Sequence, residues 1–372
     1  MSSYKILFIS DLAYPWSIGG VEKLEYTIAS KLSKHYKISF LTLKLDGMKG
    51  ERFKLDNIDY ITLGSFKGQL YEDGARSYKE AFYFAIRLLR SISLIKEYDL
   101  LFVNFFPIMH MPIINLIDKP KVIDIAEVWD LRYWISYYGI KGLIGSFIES
   151  IALSKKSYYI ANSSSTKALL NKRGINRVSV FAPVIDLKRL SSISSKKERF
   201  ILTSGRLVKE KRFDRFIEVI RDIVKRDGSI KAIICGNGPE KENLLRLIKS
   251  YGIEENIRIV PFMEKHEDYI KMLSSASLFI MPSIREGLSI VTIESIALGV
   301  PVILPDDTPI PKEVRSMCNI ASFKEMPELA LKIIDGDPND YIYNRSNLNR
   351  FDAGRIVPFY SRLFKRLIDE YH

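Results

Sequence analysis

Residues 281–303, MPSIREGLSIVTIESIALGVPVI, carry a strand end, a loop, a helix and a second strand in quick succession. The apolar run Leu278–Met281 ends at Pro282, a loop presents Glu286 and Gly287, Ser289–Leu298 has helical apolar spacing, and Pro301–Leu304 is again a buried strand. Strands joined through a helix imply parallel pairing. Glu286 and Glu294 are eight residues apart, a little over two turns, so helical spacing puts both on one side of the helix. The amides of Gly287 to Ser289, at the helix start, are placed to bind phosphate oxygens. As bare spacing, this pair of acids is also what a solvated helix shows.

The same alternation extends in both directions. Strands at Phe200–Ser204, Lys231–Cys235 and Ile257–Val260 precede the stretch, with helices at Lys209–Lys225, Pro239–Tyr251 and Glu264–Ser274, and a helix at Lys324–Ile334 follows it. Residues 182–198, APVIDLKRLSSISSKKE, lack a sustained period and read as a linker. Before them, strands at Tyr4–Ser10, Lys37–Thr42, Leu100–Asn104, Lys121–Ile125 and Tyr158–Asn162 alternate with helices at Val21–Ser33, Arg76–Lys96, Lys141–Leu153 and Ser164–Asn171. Two doubly wound α/β halves result, whose ligands sit beyond the carboxyl ends of the strands. In the tail a helix begins in Phe351–Ile356, Pro358 is expected to kink or restart it, and Phe359–Tyr371 has an apolar face.

Composition bounds the function. At 372 residues, 47% hydrophobic and 27% charged, the chain is long enough for two globular domains. It has no uncharged apolar run of transmembrane length and no signal-peptide pattern, which points to the cytoplasm. Cys235 and Cys318 form no metal or disulfide pattern and read as buried thiols. The formal charge of +12 favours anionic partners, but no nucleic-acid motif accompanies it.

Three further segments bear on a ligand. Gly19 and Gly20, in DLAYPWSIGG before a helix, have backbone freedom and amides for an anion or a sugar, or form a plain turn. In TSGRLVKEKRFD, Gly205 turns after a strand and Arg206, Lys209, Lys211 and Arg212 follow. Cations at a helix start oppose its dipole unless an anion sits there, and Arg with Lys suits a diphosphate. CGNGPE, 235–240, is a glycine turn.

Together GRLVKEK at 205–211, GNGP at 236–239, PSIREGLSIVTIES at 282–295 and ALGVPVI at 297–303 resemble glycosyltransferase family 4, retaining enzymes that use nucleotide sugars and have the two-domain GT-B fold. The resemblance is strong over the second half and looser over the first. It implies an acceptor-binding Rossmann-like domain at 1–185, a nucleotide-sugar-binding one at 186–356, and a helix at 357–372 returning to the first. It further implies that Arg206 and Lys211 bind the donor diphosphate and that Glu286 contacts the transferred sugar. Gly287 and Leu288 lie near the sugar and phosphates, Glu294 holds the ribose, Phe262 flanks the base, and Gly19 and Gly20 close over the donor. No cofactor or metal is implied; the donor is UDP- or GDP-linked.

Two departures stand out. Relatives often carry a His after the strand that here is Lys121–Ile125, where this chain reads DIAEVWD. Asp124, Glu127 and Asp130 are the candidates to position or deprotonate the acceptor, with Glu127 the foremost. His110 lies before that strand and suits a surface or packing role better than catalysis. The loop glycines expected after the last strand are replaced by Thr308-Pro309-Ile310-Pro311.

The acceptor, a sugar or a lipid-linked molecule, is expected on the first domain. There Arg132–Gly145 is crowded with aromatics, and Arg76–Lys96 mixes apolar and basic residues. Such surfaces suit peripheral docking on an anionic membrane as well as an ordinary buried helix face. A non-catalytic partner subunit that binds nucleotide sugar is the other reading. A phosphorylase, an epimerase or a nucleic-acid-binding protein finds less support in the residues.

Overall fold

The computed structural model describes residues 4–17, 19–68, 71–72, 75–129, 131–193 and 195–372. It divides into two compact units, Met1–Pro183 with Ala353–His372, and Val184–Asp352. No described helix is long and apolar enough to cross a membrane.

The first unit is an eight-stranded sheet. From one edge its strands run Val178–Val180, Tyr158–Ala161, Lys121–Ile125, Leu100–Asn104, Lys5–Ile9, Lys37–Thr42, Ile58–Thr62 and Arg52–Leu55. All neighbours are parallel except the last pair. The two innermost strands, Leu100–Asn104 and Lys5–Ile9, are apolar at every inner position because helices cover both faces. Alternation assigns the side chains: Leu7, Ile9, Leu101 and Val103 enter one core, Ile6, Phe8, Leu100 and Phe102 the other. On the first face lie the helices Tyr78–Leu89 and Met111–Leu116, through Phe84, Leu88, Met111 and Ile114. On the second lie Gly20–Leu32 and the C-terminal Ile356–Tyr371, which contributes Tyr360, Phe364 and Leu367.

Several local expectations change. Pro358 neither kinks nor restarts the tail helix, because it falls in the first turn, where its missing N–H has no partner to lose. The chain re-enters the first unit at Ala353, itself buried in that core, ahead of the helix. Arg76–Lys96 is two helices, Tyr78–Leu89 and Ile92–Ile95. The antiparallel pair Arg52–Leu55 and Ile58–Thr62 turns through Asp56 and Asn57, both at positive φ. Their half-exposed strands mix polar and apolar residues too loosely to stand out in sequence.

The second unit is a six-stranded parallel sheet in the order Ile257–Val260, Lys231–Cys235, Glu198–Ser204, Ala276–Ile280, Val302–Pro305, Asn319–Ala321. Cys235 and Cys318 are buried free thiols, as their apolar surroundings imply. The chain first builds outward from Glu198–Ser204 in one direction, then restarts on its other side at Ala276–Ile280. The strand order therefore reverses between these two neighbours, and in open α/β sheets ligands bind where the connections part in this way.

Candidate functional site

Two loops leave the carboxyl ends of Glu198–Ser204 and Ala276–Ile280. The first is shaped by glycines. A Cβ on Gly236 would lie 2.0 Å from Gly205 O, and one on Gly238 would lie 2.5 Å from Leu207 O. The Leu207 amide donates to Asn237 O (2.8 Å) and the Glu240 amide to Leu207 O (3.0 Å). The GNGP turn and the GRL turn are thus pressed backbone to backbone, an approach only residues without a Cβ permit. This aims Arg206, which is exposed, and the segment up to Lys211 past the strand ends.

The expected helix Lys209–Lys225 is interrupted. Lys209–Lys211 forms a 3-10 turn, Arg212 sits at φ 48°, ψ 40°, and the α-helix starts at Phe213. Arg212 does not join a cation cluster. Its Nη1 and Nη2 donate to Asp307 (2.8 and 2.9 Å), its Nε to Pro282 O (2.6 Å) and Nη2 to Ser283 O (3.0 Å). The guanidinium stacks over Phe323, 4.9 Å from the ring centre. Arg212 is a latch between three loops, a role for which its forked, planar head is suited. The residues that replace the expected glycines complete the latch. Thr308 Oγ1 donates to Ser283 O (2.5 Å), and the Glu286 amide donates to Pro309 O (3.1 Å).

Held this way, Glu286 meets Lys211: Oε1 lies 2.5 Å from Nζ, with the glutamate side chain 13% exposed. The two acids do not share a helix face, contrary to their spacing, since the helix begins only at Ile290 and Glu286 lies in the loop before it. Glu294 instead points to a different partner. It is buried, and His266 Nε2 is 3.1 Å from its Oε1. Tyr269 packs beside this histidine, ring centres 6.0 Å apart, and its hydroxyl lies 2.7 Å from Ser204 Oγ. Burial first, and then the Glu294 charge, push the Tyr269 phenol up. Sequence reasoning misses His266 because KHEDYI reads as an exposed helix start. Its nearness to Glu294 depends on which strands neighbour each other.

The helix start between the two acids is open. Ser289, its N-cap, has φ 60° and ψ 77°, left-handed and unusual for a residue with a Cβ. An N-cap serine ordinarily accepts from the first amides. Here its hydroxyl turns to Met281 Sδ and Thr292 Oγ1, both at 2.8 Å, and makes no cap bond. Among the described residues the amides of Gly287, Leu288 and Ser289 have no backbone acceptor. Phe262, 45% exposed, follows the strand Ile257–Val260 and precedes the His266 helix.

The first unit places its candidates differently. Gly19 is extended, at φ −130°, so its backbone freedom is not used. What it provides is room, since a Cβ there would lie 2.1 Å from Glu22 Oε2. Gly20 opens the helix that follows. Glu127 accepts from Trp129 Nε1 (3.0 Å). Asp124 is buried, and burial pushes its carboxyl up to about 7. Burial first, and then the Asp124 charge, raise the carboxyl of Glu25, which is buried on the Gly20–Leu32 helix. Asp130 lies outside the described residues. His110 is buried against Phe84, with Nε2 3.0 Å from Asn104 O, and burial lowers it to about 4, so it packs as a neutral ring.

Comparison with known proteins agrees with this architecture. Residues 185–333 match the family described as glycosyl transferases group 1. An uncharacterized glycosyltransferase of Haemophilus influenzae is 24% identical over 91% of this chain and 93% of its own. The amylovoran biosynthesis glycosyltransferase AmsD of Erwinia amylovora is 31% identical over 40% of each chain. The solved structure of Anabaena HepE in complex with UDP and glucose matches 98% of this chain and 100% of that one, with a TM-score of 0.71 and 16% identity, a likeness of fold. With most of its second unit matching the group 1 glycosyl transferases and a glycosyltransferase relative along nearly its whole length, the chain is a glycosyltransferase with the GT-B fold.

Proposed function

We propose that the protein is a retaining, family 4-type glycosyltransferase that moves a sugar from a UDP- or GDP-linked donor to a sugar or lipid-linked acceptor in glycan assembly. The observation that carries this reading is the meeting of Lys211 and Glu286 beside the amides of Gly287 to Ser289, which have no backbone acceptor among the described residues. A cation, free N–H groups and a carboxylate at a strand-order reversal suit a diphosphate flanked by sugar hydroxyls.

In this reading Arg206, Lys211 and the amides of Gly287 and Leu288 bind the diphosphate. Glu286 accepts from hydroxyls of the transferred sugar, Glu294 from those of the ribose, and Phe262 flanks the base. The bond from the anomeric carbon to the diphosphate oxygen breaks as the acceptor oxygen bonds to that carbon on the same face. The acceptor's proton passes to the departing diphosphate oxygen, so the step balances without a metal and without a histidine in the first unit. Lys211 and the amides neutralise charge as it builds on the leaving group, where preorganised donors act most strongly. Glu127 is the candidate to orient the acceptor. That UDP with glucose occupies the Anabaena structure, and that the Erwinia relative works in amylovoran biosynthesis, supports the class of donor and pathway. A place in the cytoplasm at an anionic membrane surface is a separate reading, carried by helices of the first unit.

A panel of nucleotide sugars, followed by thermal stabilisation and by slow donor hydrolysis, tests the proposal. Stabilisation and turnover by one donor are expected. Stabilisation without hydrolysis or transfer means a non-catalytic binder, and no stabilisation by any donor removes the reading.

A further inference from the structure

The helix Gly142–Ala152 is turned inside out. Its only charged residue, Glu149, is fully buried, where it accepts from the Trp129 amide (3.0 Å) and Trp134 Nε1 (3.3 Å) and pairs with Arg173 (2.6 Å). What it shows to solvent is Leu143, Ile144, Phe147 and Ile151, with Ser150 among them and Phe147 65% exposed. Ile135 and Ile140, just before it, are exposed too, Ile140 by 82%. A surface helix ordinarily does the reverse, and an apolar patch of this kind marks a docking surface.

The charges nearby indicate the occupant. Between residues 131 and 156 the acid is Glu149 alone, and it is spent internally; Arg132, Lys141, Lys155 and Lys156 are all exposed. A second copy docked face to face about a twofold would set these cations against their own counterparts. An anionic bilayer instead matches both features, apolar side chains for the acyl boundary and cations for the headgroup phosphates. The helix Tyr78–Leu89, on the same face of the sheet, packs on the core through Phe84 and Leu88 and still leaves a second apolar row outward. It buries Glu80 and exposes Tyr78, Phe82 and Ile86 at four-residue spacing, with Lys79 and Arg90 exposed beside them.

We propose that the face formed by Ile135, Ile140, Leu143, Ile144, Phe147 and Ile151 seats the protein on an anionic lipid surface. This seating is independent of the donor site, and its test reads no donor chemistry.

Full-length protein is co-sedimented with vesicles of phosphatidylcholine alone and with 30% phosphatidylglycerol, at low and high salt. Expected is partition onto the anionic vesicles that weakens with salt and falls about tenfold or more in I144S/F147S/I151S. K141E/K155E/K156E should lose both the preference for phosphatidylglycerol and the salt dependence. Melting temperatures should stay unchanged; if the apolar triple variant is unstable, Ile144→Asn alone serves. Equal partition on both vesicles, no partition at all, or a triple variant that binds like the parent overturns the proposal. So does a lipid-free dimer that the triple variant makes monomeric.

Discussion

Lys211 Nζ lies 2.5 Å from Glu286 Oε1, so two residues that would each contact a donor hold one another across two loops. The pair is partly buried, where removing one member leaves the other uncompensated. The two substitutions should therefore act in opposite directions on free nucleoside diphosphate. Lys211→Ala should weaken its binding about 10- to 100-fold, through loss of a charge-assisted contact. Glu286→Gln should leave it as tight or tighter, because it releases the lysine, while transfer falls at least about 100-fold. Isothermal titration with UDP and GDP, beside a transfer assay, checks both signs.

Arg212 holds the loop that carries Glu286, so its loss should be felt in stability and in donor affinity together. Arg212→Lys keeps the charge but cannot serve Asp307, Pro282 O and Ser283 O at once. Abandoning buried carbonyl acceptors costs about 1–3 kcal/mol each. A fall in unfolding free energy of that order, with a raised donor KM, is expected in denaturant melts and kinetics. Asp307→Asn should cost less than half as much, since Asp307 is exposed and its partner keeps the two carbonyls.

The fold is largely legible in the sequence, and for a physical reason. Parallel strands buried on both faces are continuous apolar runs, so Lys231–Cys235 and Leu100–Asn104 can be read to the residue. What stays hidden depends on backbone geometry or on distant partners. The breaks at Arg212 and Ser289 are left-handed residues without glycine, which no composition signal announces. GRLVKEK and the arginine after it look like a cluster of cations, yet Arg212 turns from the cluster toward an acid 95 residues away. The pairing of His266 with Glu294 likewise follows from strand order, not from spacing.

If His266 orients Glu294 toward the ribose, His266→Ala should raise donor KM about 3- to 10-fold with kcat little changed, the mark of lost ground-state binding. His266→Gln, whose amide nitrogen can take the place of Nε2, should restore most of the loss. With a donor lacking the ribose hydroxyls the alanine variant should behave like the parent. Equal losses on both donors would show that the histidine only supports the fold.

Asp124 makes the first unit's stability depend on pH. Burial raises its folded pKa from an ordinary carboxylate value to about 7, and Glu25 is raised in the same sense. The folded state therefore holds protons that the unfolded state has released. This contribution is fully present below about pH 4 and is lost as pH rises through about 7. Asp124→Asn should stabilise at about pH 8, by up to roughly 4 kcal/mol, since each tenfold change in proton affinity is worth about 1.4 kcal/mol. It should have little effect at about pH 4, below both pKa values. Urea melts at the two pH values measure the difference.

Whether Lys211, Glu286 and the open amides beside them form a nucleotide-sugar site is tested most directly by differential scanning fluorimetry. The parent and Lys211→Ala are each titrated with UDP, GDP and their sugar conjugates. One nucleotide series should raise the parent's melting temperature and lose most of that effect in Lys211→Ala. Equal stabilisation of both proteins, or none in the parent, would contradict the assignment.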